Sequence, residues 1–545
     1  MNKAEQLAQS QREIGVAEFF ARNRHLLGFD NKVKALMTTI KEAVDNSLDA
    51  CEEAEVLPEI IVEVTELSQE RFHVVIEDNG PGIVKEQIPK IFAKLLYGSK
   101  FHKLSQSRGQ QGIGISASVL YAQLTTGKST KIISKTGPTE PAHYIELHID
   151  TQTNNPKITR DDIIDWPKDH GTRIEIELEA TYQKGARSID TYLKQTAITN
   201  PHTTIIYTNP KAEQIIFPRA VEEVPPKAEE IKPHPYGVEL GVLQDMLLKT
   251  TQKTLLSFLQ DSFTRVSPSV AKEICEHAKV LPNTKPKSIS RDQVDALIKG
   301  IKKTKIMAPP TDCISPIGQE LLLKGLKKEI NAEFYETVTR PPSVYRGNPF
   351  IVEVGIAYGG DQKGDDTVNV MRFANRVPLL YQQGACAGTK GVMSTAWKNY
   401  GMSQSKGALP VGPCSIVVHI ASVWVPFTSE SKEAIAHYPE ILKEMKLALQ
   451  EVGRKLGSYI NKKKRVGVEL KKRSYIQKYM PHISESLIKI LDLPESRKEE
   501  LEEKLSAILE KERGKIDTLE FDATKNTEYD EQFAKIGSES DDEDY

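Results

Sequence analysis

Apolar positions recur along this chain with two different periods. Near the start, Val16, Phe19, Phe20, Leu26 and Leu27 stand among polar residues as a short amphipathic segment. The stretch Lys41-Glu42-Ala43-Val44-Asp45-Asn46-Ser47-Leu48-Asp49-Ala50 has helical spacing: Ala43, Val44 and Leu48 are available for packing, while Glu42, Asn46 and Asp49 fall at i, i+4 and i+7. The period then shortens. Residues 59–67 and 71–77 are β-branched runs with partial alternation, and the second leads into Asp78-Asn79-Gly80-Pro81-Gly82-Ile83. Strand-like runs follow at 131–135, 143–149, 172–178 and 203–207, and a helix is expected over 115–121. This mixture predicts an α+β layered domain with antiparallel-type strands rather than a doubly wound sheet.

Residues 218–235, rich in Pro, Glu and Lys, follow neither period and read as a linker closing a first domain of residues 1–230. Beyond it Leu240, Leu243, Leu247, Leu248, Leu255, Leu256, Phe258 and Leu259 lie at helical spacing. With 270–277 and 292–299 they predict a small helical domain over 237–306. Strands return at 350–358 and 411–425, and a helix is expected over 432–459, broken or kinked at Pro439, giving a second α+β domain over 307–475. Residues 476–545 read as a C-terminal extension with a charged helix over 494–514. The acidic end from Ser538 to Tyr545 has the composition of a disordered tail.

Composition narrows the class. The length of 545 residues suits roughly three or four domains, each with its own core. Lys and Arg total 73 against 75 Asp and Glu, so any nucleic-acid contact must come from local patches. Cys51, Cys275, Cys313, Cys386 and Cys414 include no close pair, which argues against a zinc cage or disulfide framework. No apolar run approaches bilayer length, and the polar start is unlike a signal peptide, so an intracellular, soluble protein with no membrane partner is expected.

The polar face of the first strong helix suits metal-assisted phosphoryl chemistry. An Asn is a good oxygen ligand for magnesium, and a Glu one turn earlier can orient or deprotonate a water. A strand delivering Asp78 into a Gly-Pro-Gly turn can floor a pocket. In Arg108-Gly109-Gln110-Gln111-Gly112-Ile113-Gly114-Ile115-Ser116, three glycines let backbone approach an anion ahead of a helix N-terminus. Each alone has an ordinary explanation, a solvated stripe or a common turn. Gly127-Lys128-Ser129 is a decoy, because the phosphate-loop pattern needs a glycine where Ala122 stands. The Gly109–Gly114 glycines likewise do not follow a strand and lack dinucleotide-fold context.

Taken together, Glu42-x-x-x-Asn46-x-x-Asp49-Ala50, Asp78-x-Gly80-x-Gly82 and Gly109-x-x-Gly112-x-Gly114 resemble the Bergerat ATP-binding fold of the GHKL superfamily. Type II topoisomerases, chaperones, mismatch-repair proteins and sensor histidine kinases share that fold. The resemblance implies Glu42 as general base for the attacking water and Asn46 as ligand of Mg2+. Asp78 would accept from the adenine amino group, with Gly80 and Gly82 shaping the base pocket. Arg108, Gly109, Gln110, Gln111, Gly112, Ile113, Gly114 and Ile115 would bind the nucleotide from the phosphate loop, and Asp49 with Ala50 would close the first motif structurally. The segment 94–108 takes the position of the family's mobile ATP lid, with Ser99 and Lys100 as candidates to touch phosphate.

The wording of the motifs is narrower still. Lys94-Leu95-Leu96-Tyr97-Gly98-Ser99-Lys100-Phe101, the Arg108–Ser116 stretch and Val425-Pro426-Phe427-Thr428-Ser429-Glu430-Ser431-Lys432-Glu433-Ala434-Ile435 resemble the B subunits of type IIB DNA topoisomerases. That family implies a helix-two-turns-helix domain at 237–306 and a transducer domain with a long C-terminal helix, whose Lys432 reaches the γ-phosphate of ATP and thus acts in catalysis. It also implies homodimerisation through the ATPase domain on binding Mg-ATP, an N-terminal arm crossing to the other protomer, and clamping of double-stranded DNA. Strand cutting would belong to the A subunits of an A2B2 heterotetramer that relaxes supercoils and decatenates DNA in the cytoplasm, at the nucleoid. Lys462-Lys463-Lys464-Arg465 and Lys471-Lys472-Arg473 are candidates to touch DNA or the A subunit. The alternative is an ATP-gated clamp of the chaperone or mismatch-repair type, disfavoured by the context of Lys432 and the helical insert. A histidine kinase would need a two-helix hairpin ahead of Glu42, where His25 is the only histidine, and Glu42 argues against a scaffold without turnover.

Overall fold

In the computed structural model, residues 14–100, 103–109, 112–429 and 431–513 are described. The expected N-terminal arm before residue 14, Gln110 and Gln111 of the phosphate loop, and the acidic end lie outside the described residues.

The first strong helix runs over Lys32–Glu53, well beyond the ten residues whose pattern announced it, because Asn31 caps it by accepting from the Lys34 N–H at 2.9 Å. It buries Ala35, Leu36, Ile40, Ala43, Val44, Leu48 and Cys51, a stripe at three- and four-residue spacing. All of that stripe but Cys51 lies in one core with Ile60, Val62 and Val64 of β1 (Glu59–Ser68) and Phe72, Val74 and Ile76 of β2 (Arg71–Asp78). The sheet continues through β3 (Thr130–Lys135), β4 (Ala142–Asp150), β5 (Asn155–Ile164), β6 (Gly171–Glu179), β7 (Thr204–Thr208) and β8 (Gln214–Phe217), in the order β5-β4-β3-β6-β2-β1-β7-β8. Helices Gly114–Thr126 and Ile189–Thr199 contribute Val119, Leu120, Tyr192 and Leu193 to the same core. Charged side chains pair elsewhere on the strands, as in Arg71–Glu177 at 2.6 Å and Arg173–Glu77 at 3.0 Å.

In this sheet one pairing and two strands, β5 and β8, differ from the expectation. β1 pairs with β7 in parallel, since Ile189–Thr199 lies just ahead of β7 and belongs to the long connection that a parallel neighbour requires. β5 escaped notice because Asn-Pro-Lys-Ile-Thr-Arg-Asp-Asp is too polar to alternate; it is an edge strand, and charge protects an edge from further pairing.

Residues 218–234 hold no helix or strand but are tied down, with the Glu229 N–H donating to Asp312 O at 2.8 Å and Ile231 N–H to Leu104 O at 3.2 Å. Helices Leu240–Lys249, Leu255–Ser262, Pro268–Ala278 and Arg291–Lys303 follow, capped at Thr254, Ser267 and Ser290 and sharing a core of Leu243, Leu247, Phe258, Leu259, Ile274, Leu297 and Ile301.

The second sheet comprises β9 (Phe334–Thr339), β10 (Ser343–Tyr345), β11 (Asn348–Tyr358), β12 (Asn369–Ala374), β13 (Val377–Pro378) and β14 (Cys414–Ser422). Its order is β10-β11-β14-β12-β13, with β9 also on β11. All of β14 is buried, hence its apolar Ile416-Val417-Val418 and Ile420-Ala421, which flank the buried His419. Helix Gln319–Glu329 packs its Leu322 and Leu326 with Met371, Phe373 and Val417 of the second sheet and meets helix Ile189–Thr199 of the first domain: Gly325 lies on the Ile198 carbonyl so closely that a Cβ there would be 2.1 Å from the oxygen. Residues 432–438 are not helical. The long helix begins at Pro439 and reaches Ile490, so this proline starts the helix rather than kinking it: at the first helical position its missing N–H is one the helix leaves unpaired anyway.

Residues 397–402 and 453–513 form a separate compact unit. In it Gly453 and Gly457 pass against Tyr400, the chain rises through the C-terminal half of the long helix, and helix Lys498–Arg513 returns, with Ser484 Oγ donating to Glu502 at 3.0 Å.

Candidate nucleotide site

A cavity of about 700 Å³ opens between the Lys32–Glu53 helix and the phosphate loop. One end is apolar, lined by Ile76, Ile83, Ile91, Phe92 and Ile174 around Asp78; the other carries Lys41, Glu42, Asn46 and Lys432. An apolar slot with one acceptor at its floor suits a heterocyclic base, and the charged end suits phosphates.

Asp78, at the end of β2, is 8% exposed and accepts three hydrogen bonds, which leaves Oδ2 with room for one more. Ser47 Oγ donates to Oδ2 at 2.7 Å, and the N–H groups of Gly80 and Thr172 donate to Oδ1 at 2.9 and 3.1 Å. Burial pushes this carboxyl above its ordinary range, and the Ser47 hydroxyl and the two amides pull against that without cancelling it. Gly80 does not line the cavity; its amide aligns Asp78. Gly82 does line it, at φ +70, and a Cβ there would sit 2.0 Å from Lys135 O. Ser47, Thr172 and Gly171 are site residues that sequence reasoning did not single out, the last because a Cβ would fall 2.2 Å from Asp78 O.

Glu42 lies against Gly114 with no room for a side chain: a Cβ would be 1.8 Å from Glu42 Oε2. Lys41 Nζ is 3.1 Å from Oε1. Burial favours the protonated acid, but the ammonium groups of Lys41 and Lys432 outweigh it and hold Glu42 below its ordinary range. The carboxylate is therefore ionised at neutral pH and free to accept a proton. Burial likewise lowers Lys432, against the attraction of Glu42; its backbone sits at φ +52 at the tip of a loop closed by a Phe427–Ile435 bridge. Asn46 is exposed to the cavity, makes no hydrogen bond among the described residues, and has its Oδ1 3.8 Å from where a Cβ of Gly109 would stand.

Gly109, Gly112, Ile113, Gly114 and Ile115 line the cavity together with Ser99 and Lys100. The Gly114–Thr126 helix starts there without a side-chain cap, leaving its first amides for an anion. Lys100 pairs with Asp49 at 2.7 Å and Glu53 at 2.8 Å. Arg108 is outside the cavity, contrary to expectation. Its guanidinium is 4% exposed and is taken by Asp49, Glu52 and Asn200 at 2.6 to 2.8 Å, since a buried cation needs carboxylates within reach.

Two further features were invisible in the sequence. Pro378 to Tyr381, with Ser431 and Glu433 on either side of the expected Lys432, give the cavity a wall from the second sheet's domain. Glu52 also takes His202 Nε2 at 2.9 Å and lies 3.7 Å from Arg376, whose carbonyl accepts from Thr199 and whose guanidinium donates to Ser315 and Pro316. Asn375 donates to Ser107 O at 3.0 Å, so the end of the lid segment is fastened to the second sheet.

Known proteins bear on this arrangement. Residues 31–182 match the family "Histidine kinase-, DNA gyrase B-, and HSP90-like ATPase", and residues 309–472 match "Topoisomerase VI B subunit, transducer". The chain is 55% identical over 495 residues to the type 2 DNA topoisomerase 6 B subunit of Methanococcoides burtonii, covering 90% of this chain and 80% of the relative. It is 47% identical over 487 residues to that of Archaeoglobus fulgidus, covering 89% and 81%. With Natronomonas pharaonis the identity is 36% over 675 residues, covering 90% and 84%. The nucleotide cavity thus belongs to an ATPase domain of the GHKL type joined to a transducer domain, and the chain is a member of the family of type 2 DNA topoisomerase 6 B subunits.

Proposed function

We propose that this chain is the ATP-hydrolysing component of a type II DNA topoisomerase, whose DNA-cutting chemistry resides on a separate A subunit. The observation that carries the mechanism is that Glu42 and Lys432, 390 residues apart in the chain, face one cavity. Adenine enters the apolar end, its amino group donating to Asp78. The triphosphate runs toward Gly109–Gly114 and the first amides of the following helix. Glu42 takes the proton of a water aimed at the γ-phosphate, and Lys432 neutralises charge developing on that phosphate.

The Asn46 side chain, without a hydrogen-bond partner among the described residues and facing the phosphate loop, fits as an oxygen ligand that would hold Mg2+; among those residues no cluster of three His, Cys, Asp or Glu forms a cage. When bound, that ion screens the phosphate charge. Because the base stands on the Lys32–Glu53 helix of the first domain and the lysine on a loop of the second, nucleotide binding favours one relative position of the two domains, and hydrolysis releases it. Two copies closing together on ATP would clamp a DNA duplex, with the 237–306 helices and the long helix placing DNA and the A subunits in an A2B2 assembly.

The deciding experiment is ATP-dependent relaxation of supercoiled DNA by the chain with and without its co-purified A subunit. Relaxation only when both chains are present supports the proposal; relaxation by the isolated chain overturns the division of labour.

A further inference from the structure

Lys432 as the γ-phosphate contact poses a physical problem. A lysine at the tip of a loop, on a four-carbon stem, is better solvated pointing outward than buried, and its own backbone sits in the left-handed region. Something must hold it in the cavity. The next residue is occupied on both oxygens: Glu433 Oε1 is 2.7 Å from Lys34 Nζ, and Oε2 accepts from Gln382 Nε2 at 2.7 Å. Glu433 is 8% exposed, so this ion pair is poorly screened. Lys34 is held in turn by Asp30 at 2.7 Å and lies 5.0 Å from the centre of the Tyr381 ring, which Arg187 also approaches.

Lys34 stands on the helix that carries Glu42 and Asn46. From this we infer that Glu433, clamped by Lys34 and Gln382, is the positioning residue that sets Lys432 against the phosphate end of the cavity, so that base, metal ligand and phosphate contact share one helix as their frame. Lys34 and Glu42 are eight residues apart, about 12 Å along the helix. A rigid span of that length is short enough to fix the lysine relative to the base across a domain boundary. The inference rests on the proposed role of Lys432 and adds to it how the loop is registered.

The test uses the full complex, this chain together with its A subunit, and reads kcat and KM for ATP, ATP-dependent closure by small-angle scattering, and thermal midpoint. Glu433→Gln is expected to lower kcat by between about ten- and a hundredfold, with KM changed far less. Lys34→Met should reproduce this, and Lys34→Arg should retain wild-type turnover. In a Lys432→Ala background, Glu433→Gln should lower kcat no further than about twofold, because the glutamate acts only through the lysine. Wild-type kcat and closure for Glu433→Gln overturn the inference, as does a full additive loss in the Lys432→Ala background. Wild-type turnover for Lys432→Ala alone overturns the underlying reading, a result distinguishable from either of those.

Discussion

Glu42 Oε2 occupies the place where a side chain at position 114 would begin, 1.8 Å from an ideal Cβ on Gly114. The base and the phosphate loop are therefore built against each other. Gly114→Ala should move the carboxylate rather than the helix backbone, lowering ATP turnover by at least about tenfold while leaving the thermal midpoint nearly unchanged. Steady-state ATPase assays beside a melting curve check both halves.

Glu42→Ala removes the proposed base while leaving Asp78 and the glycines themselves unchanged. Nucleotide affinity should persist while hydrolysis falls by about 10² to 10⁴, the usual contribution of a positioned base. Binding measured by calorimetry and turnover in the same preparation separate the two, and wild-type hydrolysis would remove Glu42 from its role.

Asp78→Asn replaces an acceptor by an amide that can meet the Ser47, Gly80 and Thr172 donors with only one oxygen. A mispaired buried group costs about 1–3 kcal/mol, so ATP affinity should weaken about ten- to a hundredfold. If the Asp78→Asn variant bound ATP as tightly as the parent, the base would have to be read elsewhere.

Acid should loosen the domain fastening at Glu52. Burial works to raise this carboxyl, but Arg108, His202 and Arg376 carry it well below its ordinary 4.5. The unfolded chain then takes up a proton before the folded one does. The stability it contributes is complete above 4.5 and is lost as pH falls through the depressed value. Glu52→Ala should cost about 3–5 kcal/mol at neutral pH, leaving Arg108 without its main partner, and should flatten the acid limb of a stability curve followed by denaturant melts.

The helix bearing Glu42 and Asn46, the turn after Asp78 and the glycine loop were legible because each is local: periodicity places the first on one face, and strand-to-turn chemistry places the others. What was not legible depends on tertiary partners. Ser47 differs from any helical serine only because Asp78 arrives beneath it, and Gly171 is needed because β2 passes at its back and its own φ is +140. Arg108 sits in a phosphate-loop stretch yet turns away, since Asp49 and Glu52, one helical turn apart, fix its charge more firmly than an open cavity can. The polar strand β5 and the helix start at Pro439 failed for a different reason: pattern reading weights apolar spacing and treats proline as a breaker, whereas an edge strand needs little apolar surface and a first helical turn tolerates proline.

The Pro378–Tyr381 segment, contributed to the cavity by the second sheet's domain, bears on inhibitor selectivity. A compound that copies only adenine meets Asp78 and its apolar slot, chemistry shared in kind by any pocket built this way. One that extends toward Leu379 and Tyr381 gains contacts that exist only while the two domains hold this arrangement. Such a compound would discriminate between conformations as well as between proteins, and would arrest the motor at one point of its stroke instead of merely excluding its fuel.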